Sequence, residues 1–194
     1  MKCLYCDEEI SKTTLYSIFF EEDLLCPNCR NKMKYHHQKF SIDGLDVESF
    51  YDYDSLFKDL LLQYKECYDE ALKDVFLYRI NNYINFKYHD YKTIYIPSTK
   101  NKIAERGFNH LNLIFDSLTL QHVKTLSMSE ELSQYSKNYE ERRKMVNNLI
   151  YKGEKLNKVL IIDDVYTTGS SLLGAYNALK GYAKKCKAIV LAKK

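Results

Sequence analysis

Lys158 to Ser171 reads KVLIIDDVYTTGSS. The apolar, β-branched run Val159-Leu160-Ile161-Ile162 suits a strand buried on both faces. Two carboxylates follow at once, Asp163 and Asp164. Thr167-Thr168-Gly169-Ser170-Ser171 is small and hydroxyl-rich, and it leads into an apolar-periodic segment that predicts a helix over 172–182. A strand, a short polar turn and a helix N-terminus form an anion site, because unpaired backbone N–H groups and the helix dipole both favour negative charge there. The four hydroxyls of Thr167, Thr168, Ser170 and Ser171 add donors, and Gly169 lets a phosphate approach the backbone. Asp163 and Asp164 cannot bind that phosphate. They call for sugar hydroxyls, or a divalent metal carried by the ligand. Phosphate at one end with hydroxyls beside it describes a sugar phosphate. The plainer reading is a strand–turn–helix crossover with an acidic tip and a Ser/Thr cap.

Four apolar residues, two acids and a Thr/Ser/Gly loop resemble the phosphoribosyl pyrophosphate (PRPP) signature of type I phosphoribosyltransferases. The resemblance implies that Asp163 and Asp164 face the ribose hydroxyls and that Thr167 to Ser171 wrap the 5′-phosphate. It implies an α/β fold, a parallel sheet flanked by helices.

The 194 residues, 45% of them apolar, suffice for one α/β domain with a small appendage. No apolar run approaches the roughly 18 residues of a membrane span, and no signal-peptide run opens the chain. A cytoplasmic protein is expected. A formal charge of +3 is too small to argue for nucleic acid. Its distribution is uneven: acids crowd 43–74, whereas Lys180, Lys184, Lys185, Lys187, Lys193 and Lys194 close the chain without a carboxylate. The 18 tyrosines are read as compositional bias rather than as base-stacking platforms.

Cys3-x-x-Cys6 and Cys26-x-x-Cys29 have the spacing of a four-cysteine zinc site. Each pair can turn both thiolates toward one ion, and four thiolates close a structural Zn²⁺ site. Pro27 and Asn28 suit the second turn. Cys67 and Cys186 read as packing residues. Residues 31–44 look polar and irregular, which places a boundary between a zinc-binding knuckle with its linker, 1–40, and a phosphoribosyltransferase-like domain, 41–194.

Ser49 to Tyr53 predicts a short strand, and stripes over 56–64 and 68–80 predict two helices. Lys92 to Pro97 predicts a buried strand, beyond whose carboxyl end a ligand would sit. Ser98, Thr99, Lys100, Asn101 and Lys102 stand there with hydroxyls and cations suited to a pyrophosphate. A helix is expected over 103–118, with Gly107 marking close packing or a break. Arg106-Gly107-Phe108-Asn109, after a strand ending in proline, with the cysteine knuckle ahead and the PRPP loop behind, is similar to the ComF family. Tyr64-Lys65 fits a Tyr-Lys pair usual in that family. The resemblance implies a part in natural competence for DNA uptake.

Short strands are expected over 122–126 and 148–152, and the polar stretch between them sits where type I phosphoribosyltransferases carry a loop that closes over PRPP. Gln134, Ser136 and Lys137 resemble part of that loop, with Arg142 or Arg143 matching its arginine. Two functions follow as expectations. One is a PRPP- and Mg²⁺-dependent phosphoribosyltransferase of unknown acceptor, with Asp163 and Asp164 as its central residues. The other is a binding module on the same scaffold that contacts single-stranded DNA or a competence helicase.

Overall fold

The computed structural model describes residues 1–10, 23–128 and 149–194. After a turn bearing Cys3 and Cys6, helix α1 (Pro27–Lys32) leads into an antiparallel hairpin, β1 (Tyr35–Ile42) and β2 (Leu45–Asp52). Its two-residue loop is Asp43-Gly44, both at positive φ (46° and 82°), the twist that matches a right-handed strand pair. Helix α2 (Ser55–Glu66) follows, capped by the Asp54 carboxylate, which accepts from Phe57 N at 2.8 Å. A 3-10 turn (Glu70–Leu72), α3 (Lys73–Leu77) and α4 (Asn81–Lys87) precede strand β3 (Lys92–Tyr95). Then come α5 (Lys100–Arg106), α6 (His110–Ile114) and the paired strands β4 (Leu126–Met128) and β5 (Leu149–Tyr151). Strand β6 (Leu156–Tyr166), helix α7 (Ser170–Leu179) and strand β7 (Ala183–Lys193) complete the described chain.

The main sheet has the order β1-β2-β7-β6-β3. All neighbours are parallel except the edge pair β1–β2. Ile161 lies opposite Ala188 on one side and Ile94 on the other, so β6 is covered along both edges. Its alternation divides the core. Leu160 and Ile162 join the cluster under α2, α3, α4 and α6, while Val159 and Ile161 join the one under α7 and the β4–β5 ribbon. A largely parallel sheet with helices on both faces and four cysteines gathered at the N-terminal end matches the expected architecture. Among the described residues, no helix is long and apolar enough to cross a membrane.

Several sequence expectations change. Residues 35–42 are no irregular linker but an edge strand of the main sheet, so a boundary at 40/41 falls inside β1. The cysteine turn shares its core as well: Cys3, Leu25, Cys26, Cys29 and Met33 are buried with Tyr51, Phe57 and Phe76. Arg30 is buried and staples the two parts. Its guanidinium pairs with Asp23 (2.6 and 2.5 Å) and donates to the Val75 carbonyl at 3.0 Å. The stripe over 68–80 breaks into a 3-10 turn and a five-residue helix. Strands β6 and β7 each run to 11 residues, longer than their apolar runs. Cys67 is exposed rather than packed.

One buried carboxylate is held entirely by donors. Glu48 of β2 accepts from His37 Nε2 (2.8 Å), Tyr83 OH (2.8 Å), Tyr88 OH (3.0 Å) and the Lys87 ammonium. Burial pushes its pKa up, but Lys87, Tyr83 and His37 outweigh that and hold it at about 2. A folded-state pKa below the ordinary 4.5 gives stability that is complete above that pH and drains as pH falls toward the folded value. The shift corresponds to about 3 kcal/mol. Thermal melts from neutral pH down to pH about 3 should show this acid loss in the parent, and Glu48→Gln should flatten it while lowering stability at neutral pH.

Candidate functional site

Strand β6 does not stop at its apolar run. It carries Asp163 and Asp164 as strand residues, which fixes their directions. Asp164 continues the side of Leu160 and Ile162, and Asp163 that of Ile161. Asp164 is buried, 7% exposed. Its Oδ2 accepts the Lys65 ammonium from the end of α2 and lies 3.1 Å from His110 Nε2, while Oδ1 accepts from Val165 N at 2.7 Å. Asp163 Oδ1 accepts from Asp164 N at 3.0 Å. Burial pushes the Asp163 carboxyl up to about 7, opposed by the Lys65 charge. Burial, with Arg106 and Lys102 nearby, pulls Lys65 down to about 8 against the attraction of Asp163, so the ammonium stays charged at neutral pH.

Two sequence motifs lock this lysine in place. The Tyr64 hydroxyl donates to the His110 carbonyl at 2.9 Å, and Arg106 Nε donates to the Lys65 carbonyl at 2.9 Å. Gly107, at φ 84°, ends α5 in the left-handed conformation, so the expected helix over 103–118 is two helices. Phe108 packs on the Tyr64 ring at 5.3 Å, and Asn109 caps α6 by accepting from Asn112 N. Arg106 is therefore buried and structural. RGFN and the Tyr-Lys pair form one clamp that seats Lys65 and His110 against Asp164.

These groups line an open cleft of about 410 Å³ beyond the carboxyl ends of β3 and β6. Asp163, Asp164, Thr167 and Ser171 come from the β6 side, and Ser98, Thr99 and Lys102 from the β3 side. The other predicted residues stand nearby. Thr168 and Ser170 share a hydroxyl bond of 2.7 Å in the turn before α7. Gly169 is buried at φ 74°, where a Cβ would come within 2.8 Å of the Tyr166 ring, so the turn admits only glycine. Lys100 is exposed on the first turn of α5 and does not line the cleft. Thr99 caps α5, its oxygen accepting from Lys102 N. Lys137 and Arg142, with Gln134, Ser136 and Arg143, lie outside the described residues.

Sequence reading missed His110. It follows RGFN directly, but nothing local marks it, since its partners Asp164 and Ser98 come from two other elements. Nor did composition show the cleft's apolar wall of Tyr53, Leu61 and Leu62, which α2 and the turn before it supply.

Cys3, Cys6, Cys26 and Cys29 place their sulfurs within 4.8 Å of one another and can hold a metal ion. Cys6 Sγ and Cys26 Sγ are 3.7 Å apart, close to the edge of about 3.8 Å of a tetrahedron built on metal–sulfur bonds of about 2.3 Å. Two basic residues are already engaged, Arg30 with Asp23 and Lys187 with Asp46 at 3.8 Å. Lys184 and Lys185 are exposed on β7.

No protein-family model matches the chain. It is 27% identical over 199 positions to Competence protein ComFC of Streptococcus pneumoniae (strain ATCC BAA-255 / R6), covering 89% of this chain and 90% of that protein. It is 24% identical over 228 positions to Competence protein ComFC of Bacillus subtilis (strain 168), covering 97% and 93%. Among solved structures, adenine phosphoribosyltransferase from Leishmania tarentolae aligns with 81% of this chain and 95% of its own at a TM-score of 0.40 and 14% identity, a likeness too distant to argue from.

The Lys65–Asp164 pair yields a cycle to measure. Asp164→Asn leaves the ammonium half-paired and should cost roughly 2–4 kcal/mol in chemical denaturation. Adding Lys65→Met should recover part of that loss, because no unpaired charge then remains.

Proposed function

The chain is a ComFC-type protein, and from that premise we propose that its cleft binds PRPP and serves a phosphoribosyltransferase-like activity in natural competence. The observation that carries this is convergence. Two strand ends far apart in sequence bring an acidic pair, a hydroxyl-rich helix N-terminus and Lys102 of α5 to one cleft. Thr167, Thr168, Gly169, Ser170 and Ser171 would wrap the 5′-phosphate at the start of α7. Asp163 and Asp164 would take ribose hydroxyls, and Thr99 and Lys102 the pyrophosphate.

Mg²⁺ fits this site in one form. Asp164 already accepts from Lys65 and Val165 N, with His110 Nε2 3.1 Å away, which leaves the less buried Asp163 as the carboxylate better placed for a cation. A Mg²⁺ would therefore arrive on the oxygens of PRPP, with Asp163 beside it, and would offset pyrophosphate charge. Lys102 would stabilise the departing pyrophosphate. His110 is no general base, because burial, with the Lys65, Arg106 and Lys102 charges, holds it far down, at about 2. The acceptor must bring its own nucleophile or a base from elsewhere. The four cysteines would hold a structural Zn²⁺ with no open position. Single-stranded DNA or a helicase could meet the protein on other faces, in a cytoplasmic setting.

Calorimetry with PRPP and Mg²⁺ should show binding on the order of micromolar, weakened roughly tenfold in Asp163→Asn. A folded protein that binds no PRPP would rule the reading out. One zinc per chain should be found by elemental analysis. Chelating it should lower the melting temperature of the whole protein cooperatively, because the cysteine turn shares the main core. An unchanged melt after zinc removal would make the metal dispensable.

A further inference from the structure

The turn that opens α7 has little of its own to hold it. Gly169, at φ 74°, stands at the N-cap and offers no side chain to cap the helix. The side-chain hydrogen bonds described within the turn run between Thr168 and Ser170. Backbone donors left free at a helix start suit an incoming anion, but glycine is the residue least able to keep them in place. Packing supplies that rigidity. A Cβ at Gly169 would stand 2.8 Å from Tyr166 Cε2 and 3.1 Å from Ile42 Cδ1, so a ring and a methyl group close on the glycine backbone. Tyr166 is held in turn. Its ring meets that of Phe40 edge to face, with centroids 4.9 Å apart and planes at 72°. The Lys193 ammonium lies 4.2 Å from the Phe40 centroid and 6.0 Å from that of Tyr166, and it donates to Gln38 Oε1 at 3.4 Å. Lys193 stands opposite Tyr166 in the β6–β7 register, whereas Phe40 and Ile42 come from β1, the edge strand. None of these side chains lines the cleft, so any effect on a ligand runs through the turn.

We propose that Phe40 is a positioning residue for the phosphate turn. Phe40 and Lys193 fix the Tyr166 ring, and Tyr166 with Ile42 holds Gly169 in the left-handed turn that aims the backbone donors. The inference rests on the sugar-phosphate reading of the cleft and makes an edge strand outside it a determinant of affinity for the 5′-phosphate end. The pyrophosphate end draws Thr99 and Lys102 from the start of α5, an element apart from this stack. The stack also gives Lys193, one of the closing lysines, a task other than contact with nucleic acid.

The test separates the two ends of the ligand on the full chain, with ribose 5-phosphate and inorganic pyrophosphate as probes. Phe40→Ala should weaken ribose 5-phosphate binding roughly fivefold and leave pyrophosphate binding unchanged, a split that general loss of stability would not produce. Phe40→Tyr keeps a ring against Tyr166 and should restore the parent affinity. Amide hydrogen exchange in Phe40→Ala should quicken at Gly169, Ser170 and Ser171 but not at Leu160 and Ile161 in the paired centre of β6. Lys193→Met keeps the aliphatic stem without the cation and should show the same selective loss at about twofold, which decides the matter if Phe40→Ala does not fold. Equal loss of both probes, loss of neither, or unchanged exchange in the turn overturns the inference and leaves the sugar-phosphate reading standing. A folded parent that binds no ribose 5-phosphate also overturns it. If that parent still binds PRPP, the sugar-phosphate reading survives, and if it binds neither, both fall.

Discussion

The buried carboxylate of Asp164 is the constraint around which the described structure closes. It sits at the end of a strand covered on both edges, and its charge must be met from within. Lys65 meets it from the end of α2, His110 from the start of α6, and Val165 N from its own strand. Each partner is pinned in turn. Tyr64 bonds the His110 carbonyl and Arg106 bonds the Lys65 carbonyl, so α2, α5 and α6 are referred to one atom group on β6. The arrangement aligns the two loops that border the cleft, because Ser98 of the β3 loop reaches Asp164 through His110.

Charge in this cleft is therefore distributed by role. Asp164 is neutralised by Lys65 within the fold, and Asp163 is the less buried of the two acids that line the cleft. Its carboxyl, pushed up by burial, gains by meeting a cation or hydroxyl donors. Lys102 supplies positive charge from the other wall, and the start of α7 supplies backbone donors. An anion flanked by hydroxyls fits this division better than a simple anion would.

The sequence displayed what is local. The β6 run, the acidic pair, the small turn and both C-x-x-C pairs each carry their meaning within a few residues, and the sheet and the cleft follow from them. What it hid is non-local. The Asp43-Gly44 turn was a readable hairpin signal, but the polar β1 before it carries no apolar alternation because it is an edge strand. Arg30 looks like a surface cation until Asp23 and Val75 close on it. RGFN reads as a motif without a mechanism until Gly107 ends one helix, Asn109 starts the next and Arg106 turns to Lys65. His110 has no local signature at all. Its role is legible only once three separate elements meet.

The measurement that tests the central claim most directly is a crystal structure of the protein with PRPP and Mg²⁺. The account predicts ribose hydroxyls against Asp163 and Asp164, the 5′-phosphate at the start of α7, and pyrophosphate beside Lys102, with the Lys65–Asp164 pair intact. A ligand bound elsewhere, or a 5′-phosphate away from Thr167–Ser171, would contradict it.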